Sequence, residues 1–486
     1  MTRSAATSTI IENLTSARVI VVGDVMLDRF VDGVVERISP EAPIPVFSVR
    51  RETSMLGAAG NVLRNLAALG ASAHLLATIG EDAAGEEIAA LVDEESNARA
   101  TLIPLAGRPT SIKTRYIASG QQMLRADRET IEDLSAEMQD RIAAQVAAEI
   151  ADAGALLISD YGKGVLGDSL LRQLIGLARD AGRPVIVDPK GNDYSRYRGA
   201  RVVTPNRQEL SQASGQAVSD DASAIAACRQ VIATAGVEAV LATRSEHGMT
   251  LVDGTEVHHF PARAREVFDV SGAGDTVAAA VAAALAVGTA LADATHFANT
   301  AAGVVVGKVG TAVAHPAEIL SAAHEDEFLD AEAKVLPAAQ AGDRVAGWRR
   351  QGRKVGFTNG CFDLLHPGHI SLIRQAKRSC DRLVVGLNSD DSVFRLKGAG
   401  RPVQNEASRA AVLASLADVD AVVVFGEDTP LDLIRLLKPD VLVKGADYTV
   451  EEVVGAEDVA SWGGEVVLAD LLDGHSTTAT IRRLGQ

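Results

Sequence analysis

Aromatic residues are scarce in this chain, and basic residues are outnumbered by acidic ones. Phe, Trp and Tyr make up 3% of its 486 residues, which argues against aromatic platforms that stack single-stranded nucleic acid. The 47 Lys and Arg stand against 64 Asp and Glu, for a net charge of −17. Nucleic-acid-binding domains carry a basic surface, so this composition predicts no nucleic-acid partner.

Cysteine and long hydrophobic runs are also scarce. Three Cys in 486 residues indicate a reducing compartment, and the chain up to Arg18 is polar and lacks the apolar core of a signal peptide. We therefore expect a cytoplasmic protein. The longest apolar run, Thr276–Ala292, is rich in Ala, contains Gly288 and ends at Asp293. It predicts one buried helix of the protein core and no membrane span.

The length of the chain indicates more than one domain. Single hydrophobic cores stop growing at about 250–300 residues, so 486 residues predict two or three domains. The segment His324–Ala341 is acidic at first and then Ala-rich, contains Pro337 and shows no clear apolar period. We predict domains at 1–324 and 345–486, joined by a linker at 325–344.

The heptapeptide Asp269–Asp275, Asp-Val-Ser-Gly-Ala-Gly-Asp, is the most informative motif of the first domain. Because the apolar run follows directly, Gly272, Ala273 and Gly274 lie where a turn opens into a helix. Unpaired backbone N–H groups and the positive end of the helix dipole bind phosphate at such a site. A carboxylate there suits a base that takes a proton from an attacking hydroxyl, so Asp275 is a candidate catalytic residue for phosphoryl transfer. The alternative is a Gly-rich turn capped by Asp275.

The heptapeptide resembles the C-terminal signature of the PfkB (ribokinase-like) sugar kinases, and further motifs agree with that family in type and order. The resemblance implies an α/β fold, namely a three-layer α/β/α domain with a small β lid. It also implies a sugar substrate, Mg²⁺ with ATP as co-substrate, and no tightly bound organic cofactor. The family's sugar-binding residues fall on Asp28, after the strand Val19–Asp24, and on Asn61. A surface carboxylate and a helix cap are the respective alternatives.

The same resemblance assigns the nucleotide site of the first domain. In this chain the family's Asn-x-x-Glu element, which places Mg²⁺ and phosphate, consists of Asn206, Arg207, Gln208 and Glu209. Glu209 is the candidate for holding Mg²⁺, directly or through water. Thr243 and Gly248 belong to a segment that looks like the family's nucleotide-binding turn. For the Asn-x-x-Glu element, the alternative is a helix start with Glu in its first turn.

A Gly-rich segment at Ser159–Leu166 follows the apolar strand Ala155–Ile158. We expect Lys163 near the transferred phosphoryl group or near a phosphate of the sugar, because its ammonium offsets phosphate charge. Asp160 is expected to position Lys163 or to bind sugar hydroxyls. An ordinary loop after the strand is the alternative.

Strand patterns outside the predicted central sheet indicate the lid. They are found at Phe30–Ile38 and Ile44–Arg51, and Ser111–Ala118 forms a predicted hairpin with Met123–Arg128. PfkB kinases use such strands as a lid over the sugar, and in many members two lids interlock. The resemblance therefore implies a homodimer.

The second domain opens with a strand at Lys354–Asn359 and with the motif Phe357–His369, in which Pro-Gly separates His366 from His369. Pro-Gly places both His at a turn that enters a helix, predicted at Ile370–Ala376. An imidazolium or an N–H donor there can stabilise the α-phosphorus of a nucleotide and its pyrophosphate leaving group. Zinc binding and incidental surface histidines are the alternatives.

This motif resembles the His-x-Gly-His nucleotidyltransferases, the superfamily of cytidylyltransferases and related adenylyltransferases, and implies a Rossmann-like α/β domain. The resemblance adds Lys397 to the two histidines as a catalytic residue. For Lys397 and Lys444 the alternative is a solvated loop charge, and for the C-terminal Ser/Thr segment it is a plain helix cap. The residues implied to bind the nucleotide and its phosphates are Thr358, Asn359, Gly360, Phe362, Lys444, Ser476, Thr477 and Thr478.

The two domains in this order resemble the bifunctional heptose-phosphate kinase/adenylyltransferases of ADP-heptose synthesis over nearly the whole chain. The resemblance implies ATP-dependent phosphorylation of heptose 7-phosphate at O1, and adenylyl transfer to heptose 1-phosphate with release of pyrophosphate. The resemblance alone supplies the sugar, which no residue spacing indicates. Two alternatives stay open. One is a different sugar, or CTP in place of ATP, and the other is a second domain that senses nucleotide without catalysis.

Overall fold

A computed structural model of the protein describes residues 3–262, 267–308, 310–446 and 448–470. The chain divides into two compact units, one from Arg3 to Ala323 and one from His324 onward. Both units are built from α/β elements, and each has its own sheet and its own hydrophobic core.

The first unit alternates strands and helices from its beginning. Its strands are β1 (Arg18–Gly23), β2 (Val25–Ile38), β3 (Pro45–Ala58), β4 (Ser72–Gly80), β5 (Ala98–Leu105), β6 (Ile112–Ala118), β7 (Gln121–Arg128), β8 (Ala155–Ser159), β9 (Val185–Asp188), β10 (Val202–Val203), β11 (Ala239–Thr243), β12 (Met249–Asp253) and β13 (Glu256–Phe260). Its helices are α1 (Arg3–Asn13), α2 (Ala59–Ala68), α3 (Ala83–Asp93), α4 (Ala136–Glu149), α5 (Asp168–Asp180), α6 (Arg207–Ser214), α7 (Asp221–Ala235), α8 (Ala273–Ala286), α9 (Leu291–Val306) and α10 (Pro316–Glu332), which ends beyond the boundary at Ala323.

Nine of these strands form a central sheet in the order β13-β12-β11-β10-β9-β8-β1-β4-β5. Within this sheet, β5, β4, β1, β8, β9, β10 and β11 run parallel to one another. Strands β12 and β13 extend the sheet in antiparallel pairing. Val21 of β1 lies in one apolar core and Val22 in another, because successive side chains of a strand point to opposite faces. Helices α2, α8 and α9 contribute to the first core, and α4, α5 and α7 to the second. The predicted three-layer α/β/α architecture is confirmed.

The apolar run is buried from Thr276 to Ala284, whereas Gly288 and Ala290 are exposed. The prediction of a single buried helix is therefore wrong. Helix α8 ends at Ala286, Gly288 takes a φ of 80°, and α9 starts at Leu291. Glycine adopts this left-handed conformation without steric penalty, so it allows the chain to turn and a second helix to form. Among the described residues, the structure contains no helix that is long and apolar enough to cross a membrane.

A separate four-stranded sheet, in the order β3-β2-β6-β7, corresponds to the predicted β lid. Strands β2 and β3 pair antiparallel, β2 and β6 pair parallel, and β6 and β7 form the predicted hairpin. All residues of β7 are exposed, including the apolar Met123 and Leu124, which are 51% and 58% exposed. The lid thus carries an apolar surface that nothing in its own unit covers within the described residues.

The second unit is a parallel α/β sheet. Its strands are β14 (Val355–Gly360), β15 (Arg382–Asn388), β16 (Ala421–Phe425), β17 (Val441–Gly445) and β18 (Glu465–Ala469), in the order β16-β15-β14-β17-β18. Its helices are α11 (Ala338–Arg350), α12 (Pro367–Arg378), α13 (Asp390–Lys397), α14 (Glu406–Ala414), α15 (Leu431–Leu437) and α16 (Ala456–Ser461). Val384 and Val385 of β15 point into different cores, on opposite faces of the sheet. The predicted Rossmann-like architecture is confirmed.

Short 3-10 helices connect several of these elements. They are Leu14–Ser16, Tyr194–Tyr197, Ser245–His247 and Val450–Glu452. Tyr197 in the second of them is fully buried, and its hydroxyl reaches a loop of the first unit that is described below.

The segment predicted as a linker, 325–344, is largely helical, because α10 and α11 cover most of it. Between the two helices, the N–H of Leu336 donates to the carbonyl of Val422 at 2.9 Å. Ala341 and Val345 of α11 are buried in a core of the second unit. The sequence did not indicate these helices, since an Ala-rich segment shows little contrast between apolar and polar positions. Its role as a domain linker stays a prediction.

Candidate active sites

The heptapeptide Asp269–Asp275 lies at the amino end of a buried helix. Helix α8 begins at Ala273, preceded by Gly272, whose φ of 78° is left-handed. A Cβ on Gly272 would lie 2.7 Å from Nδ2 of Asn61. Glycine is therefore required at 272 for two reasons, the backbone conformation and the approach of Asn61. The turn directs Asp275, in the first turn of α8, toward residues from other parts of the unit.

Asp275 is buried and receives two hydrogen bonds from side chains. Asn61 Nδ2 donates to Oδ2 at 2.8 Å, and the Tyr161 hydroxyl donates to Oδ1 at 2.8 Å. Burial raises the pKa of Asp275 to about 6, although both hydrogen bonds favour the ionised form. A carboxylate with such a pKa is suited to accept a proton near neutral pH.

Asn61 is fully buried within α2 and is not a helix cap. Asn65 Nδ2 donates to the backbone carbonyl of Asn61 at 2.8 Å and to its side-chain Oδ1 at 3.4 Å, and the Thr276 hydroxyl donates to Asn65 Oδ1 at 2.8 Å. This network fixes the orientation of the Asn61 amide toward Asp275. The predicted contact of Asn61 with sugar stays a prediction.

Asp28 is also buried, so the alternative of a surface carboxylate does not hold. Its Oδ1 pairs with Arg115 of the lid strand β6 at 2.6 Å. A Cβ on Gly57 would lie 2.5 Å from its Oδ2, so a side chain at position 57 would displace the Asp28 carboxylate. The charge of Asp28 acts on Asp275, raising its pKa, which places the two predicted residues in one site.

A third carboxylate, Asp24, organises the loop that follows β8, and sequence reasoning missed it. Its Oδ2 accepts from the N–H groups of Tyr161 and Lys163, each at 3.0 Å, and its Oδ1 accepts from that of Val165 at 3.2 Å. Burial raises the pKa of Asp24, and these backbone donors oppose that shift. The position of Asp24 at the end of β1 was the available signal, because loops at that edge of a parallel sheet carry function.

Asp160 and Lys163 lie in this loop but have different partners. Asp160 accepts from the N–H of Gly162 at 2.8 Å and from the Tyr197 hydroxyl at 2.6 Å. These contacts favour a role in holding the loop over direct sugar binding. The Lys163 ammonium pairs with Glu129 at 2.8 Å. The structure does not test the predicted phosphate contact of Lys163.

The Asn-x-x-Glu element forms a helix start with Glu in its first turn, the alternative that the sequence left open. Asn206 Oδ1 accepts from the N–H of Glu209 at 2.9 Å, and Glu209 Oε2 accepts from the N–H of Asn206 at 3.1 Å. The other oxygen of Glu209 pairs with Lys190 at 2.9 Å. Arg207 and Gln208 are exposed at this helix start. Capping does not exclude a phosphate contact, since the same helix end offers N–H donors.

Thr243 and Gly248 flank the turn after β11. Asn206 and Thr243 form an isolated parallel β-bridge, so the two predicted nucleotide-binding segments are neighbours. Gly248 has a φ of 75°, and a Cβ there would lie 2.0 Å from the Phe260 carbonyl. Only glycine fits at this position.

Carboxyl groups lie close together where Mg²⁺ is predicted. Burial raises the pKa of Asp188 well above its usual range, and the charges of Asp275 and Glu209 add to this shift. Oxygen ligands and phosphate oxygens are the partners that Mg²⁺ prefers, so these carboxylates fit Mg²⁺ carried by a nucleotide. In the part of the chain that the structure describes, no group of three or more His, Cys, Asp or Glu side chains has the geometry of a metal site.

In the second unit, His366 and His369 lie at the start of α12. His366 is the cap residue of the helix, with Pro367 at its first position. The two imidazole rings stack, with their centroids 3.8 Å apart. Burial lowers the pKa of His369 to about 4, and the neighbouring charge of His366 lowers it further. His369 is thus neutral at pH 7, so of the two predicted forms the structure favours an N–H donor over an imidazolium.

Two polar residues lie near the end of β14, the strand that leads into this motif. The side-chain oxygens Thr358 Oγ1 and Asn359 Oδ1 are buried and find no hydrogen-bond partner among the described residues. Buried polar groups are normally hydrogen-bonded, so these two oxygens are available to a bound ligand or water. Gly360 ends the strand, and Phe362, with a φ of 42°, packs against the His369 ring at 5.1 Å between centroids. Phe362 therefore lies beside His369, and Thr358, Asn359 and Gly360 belong to the strand that precedes it.

The motif loop is held by two residues that the sequence did not single out. The buried Asp363 pairs with Arg401 and accepts from the N–H of Val403 at 2.7 Å. Arg409 is fully buried and donates to the carbonyls of Cys361 and Asn388 at 2.6 and 2.8 Å. No local signal marks a buried arginine, because only the tertiary fold supplies these acceptors.

The predicted lysines of this unit have different surroundings. Lys397 is exposed at the end of α13. Burial raises the pKa of Cys361 in the motif and the charge of Lys397 opposes this shift, which indicates that Lys397 lies near the motif. Lys444 on β17 donates to the carbonyl of Asn359 at 3.3 Å. Lys444 is therefore within reach of the strand end that carries the motif. Ser476, Thr477 and Thr478 lie outside the described residues.

Two family models match the chain in the order that the motifs indicated. The pfkB family carbohydrate kinase model matches residues 16–318. The cytidylyltransferase-like model matches residues 357–479.

Similar proteins extend this match to the whole chain. The "Bifunctional protein HldE" of Paramagnetospirillum magneticum is 58% identical over 486 residues, covering 100% of this chain and 99% of that protein. The protein of the same name from Rhodospirillum rubrum is also 58% identical, covering 100% of this chain and 98% of that protein.

Solved structures resemble the first unit. Phosphofructokinase-2 from Escherichia coli, in complex with potassium, is 22% identical with a TM-score of 0.55, covering 64% of this chain and 99% of that chain. Arabidopsis thaliana ribokinase is 23% identical with a TM-score of 0.50, covering 63% of this chain and 98% of that chain. These likenesses support the fold. From the two family models and the full-length relatives, the chain belongs to the bifunctional HldE family and is a transferase that joins a PfkB carbohydrate kinase to a nucleotidyltransferase.

Proposed function

We propose that the protein carries out two steps of ADP-heptose synthesis, a precursor pathway of the lipopolysaccharide core. The first unit phosphorylates D-glycero-β-D-manno-heptose 7-phosphate at O1 with ATP, and the second transfers an adenylyl group from ATP to the 1-phosphate of the same sugar. The observation that carries the kinase assignment is the buried Asp275 at the amino end of α8, held by Asn61 and Tyr161. Full-length similarity to HldE proteins supports the heptose substrates.

In the kinase step, Asp275 takes the proton from the O1 hydroxyl of the sugar. The resulting oxyanion attacks the γ-phosphorus of ATP, the bond from this phosphorus to the β–γ bridging oxygen breaks, and ADP leaves. The amide groups of Gly272–Gly274 and the dipole of α8 stabilise the charge on the phosphoryl oxygens. Asp28 and Asn61 bind the sugar, and Lys163 offsets phosphate charge.

Mg²⁺ with ATP is the proposed co-substrate. Glu209 and the neighbouring Asp188 would face the ion through its water shell, and Mg²⁺ would neutralise charge between the phosphates. Asn206, Arg207, Gln208, Thr243 and Gly248 are the proposed contacts of the nucleotide. We place the enzyme in the cytoplasm, where ATP is available and where the three free Cys stay reduced.

In the adenylyl transfer step, the sugar 1-phosphate is already anionic and needs no base. One of its oxygens attacks the α-phosphorus of ATP, and pyrophosphate leaves. His366, His369 and Lys397 align the phosphates and stabilise the charge that develops on them. Thr358, Asn359, Gly360, Phe362 and Lys444 form the proposed nucleotide pocket, and Ser476–Thr478 would complete it.

Phosphorus NMR tests both substrates. With MgATP and heptose 7-phosphate we expect a 1,7-bisphosphate and ADP, and with heptose 1-phosphate we expect ADP-heptose and pyrophosphate. Replacing ATP by CTP in the second reaction is the control for the base, and we expect no product. Formation of CDP-heptose in preference to ADP-heptose, or phosphorylation of other sugars at an equal rate, would contradict the proposal.

We also propose that the protein is a homodimer through the lid, because apolar side chains of its strands are exposed. Val49 on one edge strand of the lid and Met123 and Leu124 on the other are 57%, 51% and 58% exposed, and exposed apolar surface can mark an interaction site. Light scattering should give twice the chain mass of 50.7 kDa, and Leu124→Lys should yield a single chain. Val412→Lys, at an exposed apolar position of the second unit, is the matched control and should leave the dimer intact. A wild-type mass of one chain would refute the dimer.

A further inference from the structure

The loop after β8 contains a tyrosine whose hydroxyl contacts the proposed base. Tyr161 OH donates to Asp275 Oδ1 at 2.8 Å, and Asn61 Nδ2 donates to Oδ2 at 2.8 Å. Each carboxylate oxygen thus receives one hydrogen bond from the protein. Two donors on opposite oxygens fix the plane of the carboxylate, and each oxygen keeps a further lone pair for a substrate proton.

The backbone of Tyr161 is fixed independently of Asp275. Its N–H donates to Asp24 Oδ2 at 3.0 Å, the same oxygen that accepts from the N–H of Lys163. Asp24 is buried directly after β1. The phenol is therefore placed by the edge of the central sheet and needs no substrate to reach its position.

The lid also reaches this side chain. The Lys113 ammonium, on β6, lies 5.5 Å from the centroid of the Tyr161 ring, at a distance where a cation is attracted to an aromatic face. Burial lowers the pKa of Lys113, and the charge of Asp28 opposes this shift. The phenol thus stands between a cation of the lid and the carboxylate of Asp275.

We propose that Tyr161 is a positioning residue of the kinase reaction, whose hydroxyl holds the Asp275 carboxylate in the orientation and ionised form that accept the sugar proton. This inference rests on the proposed function of Asp275 as the base. Burial raises the pKa of Tyr161 well above its usual range, so the phenol remains protonated and acts as a donor. It does not take the proton itself.

The charged and polar groups around Asp275 determine in which direction its pKa moves when the Tyr161 hydroxyl is removed. Burial raises the pKa of Asp275 to about 6, Asp28 raises it further, and Asn61, Tyr161 and Lys113 lower it. Asp188 faces the same carboxylate, since the charge of Asp275 raises the pKa of Asp188. Loss of the Tyr161 hydroxyl removes a donor that favours the ionised form. The pKa of Asp275 then rises, and the kinase loses its base at a higher pH than before.

The test is Tyr161→Phe, with the pH profile of kinase kcat as the main measurement. We expect kcat to fall about ten- to a hundredfold, as for the loss of one hydrogen bond to a charged group, and the acid limb of the profile to move to higher pH. KM values for ATP and for the sugar phosphate should change little. Adenylyl transfer by the same preparation should be unchanged, which verifies that the second unit is intact, and the unchanged KM values verify that the first unit is folded.

Tyr194→Phe is a matched control. Tyr194 is buried in the same unit, and its hydroxyl has no hydrogen-bond partner among the described residues, so we expect an unchanged profile. Replacing Tyr161 by 3,5-difluorotyrosine keeps the hydroxyl and makes it a stronger donor. This replacement should move the acid limb to lower pH, opposite to Tyr161→Phe.

Three results would overturn the proposal. An unchanged kcat and acid limb in Tyr161→Phe would show that the hydrogen bond has no role in the reaction. A raised KM for the sugar with unchanged kcat would make Tyr161 a substrate contact. Shifts in the same direction for both replacements would exclude the hydrogen bond as the cause. If Asp275→Asn also retained kinase activity, the proposed base itself would be wrong, which distinguishes that failure from a failure of Tyr161.

Discussion

Asp275→Asn is expected to abolish sugar phosphorylation and leave adenylyl transfer intact. The amide cannot accept the proton of the sugar hydroxyl, and loss of a general base costs about 10²- to 10⁴-fold in rate. The substitution keeps the shape of the side chain at a buried position. ADP release in the presence of the sugar phosphate measures the loss, and pyrophosphate release by the same protein reports on the second unit.

Asp293→Asn is the matched control for this substitution. Asp293 also lies in the first turn of a helix of the first unit, α9, but it is exposed. We expect its kinase rate to equal that of the unsubstituted protein. If Asp275→Asn retained more than a tenth of the kinase rate, the assignment of Asp275 as base would be contradicted.

His369→Ala is expected to produce the opposite separation of activities. Removal of one donor that stabilises transition-state charge costs about 10²- to 10³-fold, so pyrophosphate release from ATP and sugar 1-phosphate should fall by that factor. Sugar phosphorylation should be unchanged. Because burial keeps the pKa of His369 near 4, the imidazole is neutral throughout the range from pH 6 to 8, and its contribution should not vary with pH there.

His324→Ala controls for the loss of an imidazole, since His324 is exposed at the start of the second unit. It should leave both activities unchanged. A fall of both activities in His369→Ala, or no change in either, would mean that the two reactions do not occupy separate sites. Asp275→Asn and His369→Ala together therefore test the assignment of one reaction to each unit.

The fold and the positions of the main motifs could be predicted from the sequence because their signals are local. The helix after Gly272 and the helix after His366 follow from a turn next to an apolar segment. The apolar run Thr276–Ala292 shows the limit of such signals. Its composition indicated one helix, but the chain turns at Gly288, whose left-handed backbone separates two helices.

Site residues that contact each other across the chain could not be predicted in the same way. Asn61 and Asp275 are 214 positions apart, and Tyr161 and Asp275 are 114 apart. The roles of Asp24 and Arg409 likewise depend on acceptors and donors from distant segments. Glu209 shows both kinds of signal. Its capping pattern is local and was visible in the sequence, but its ion pair with Lys190 depends on the fold and was not predicted.

By itself, the sequence determined two α/β units and the two helix ends at which phosphate chemistry is proposed, because composition, period and turn residues act over a few positions. The tertiary structure alone decided which side chains surround Asp275 and how deeply His369 is buried. Burial and hydrogen bonding set the protonation state of both groups, and both depend on neighbours that only folding brings together.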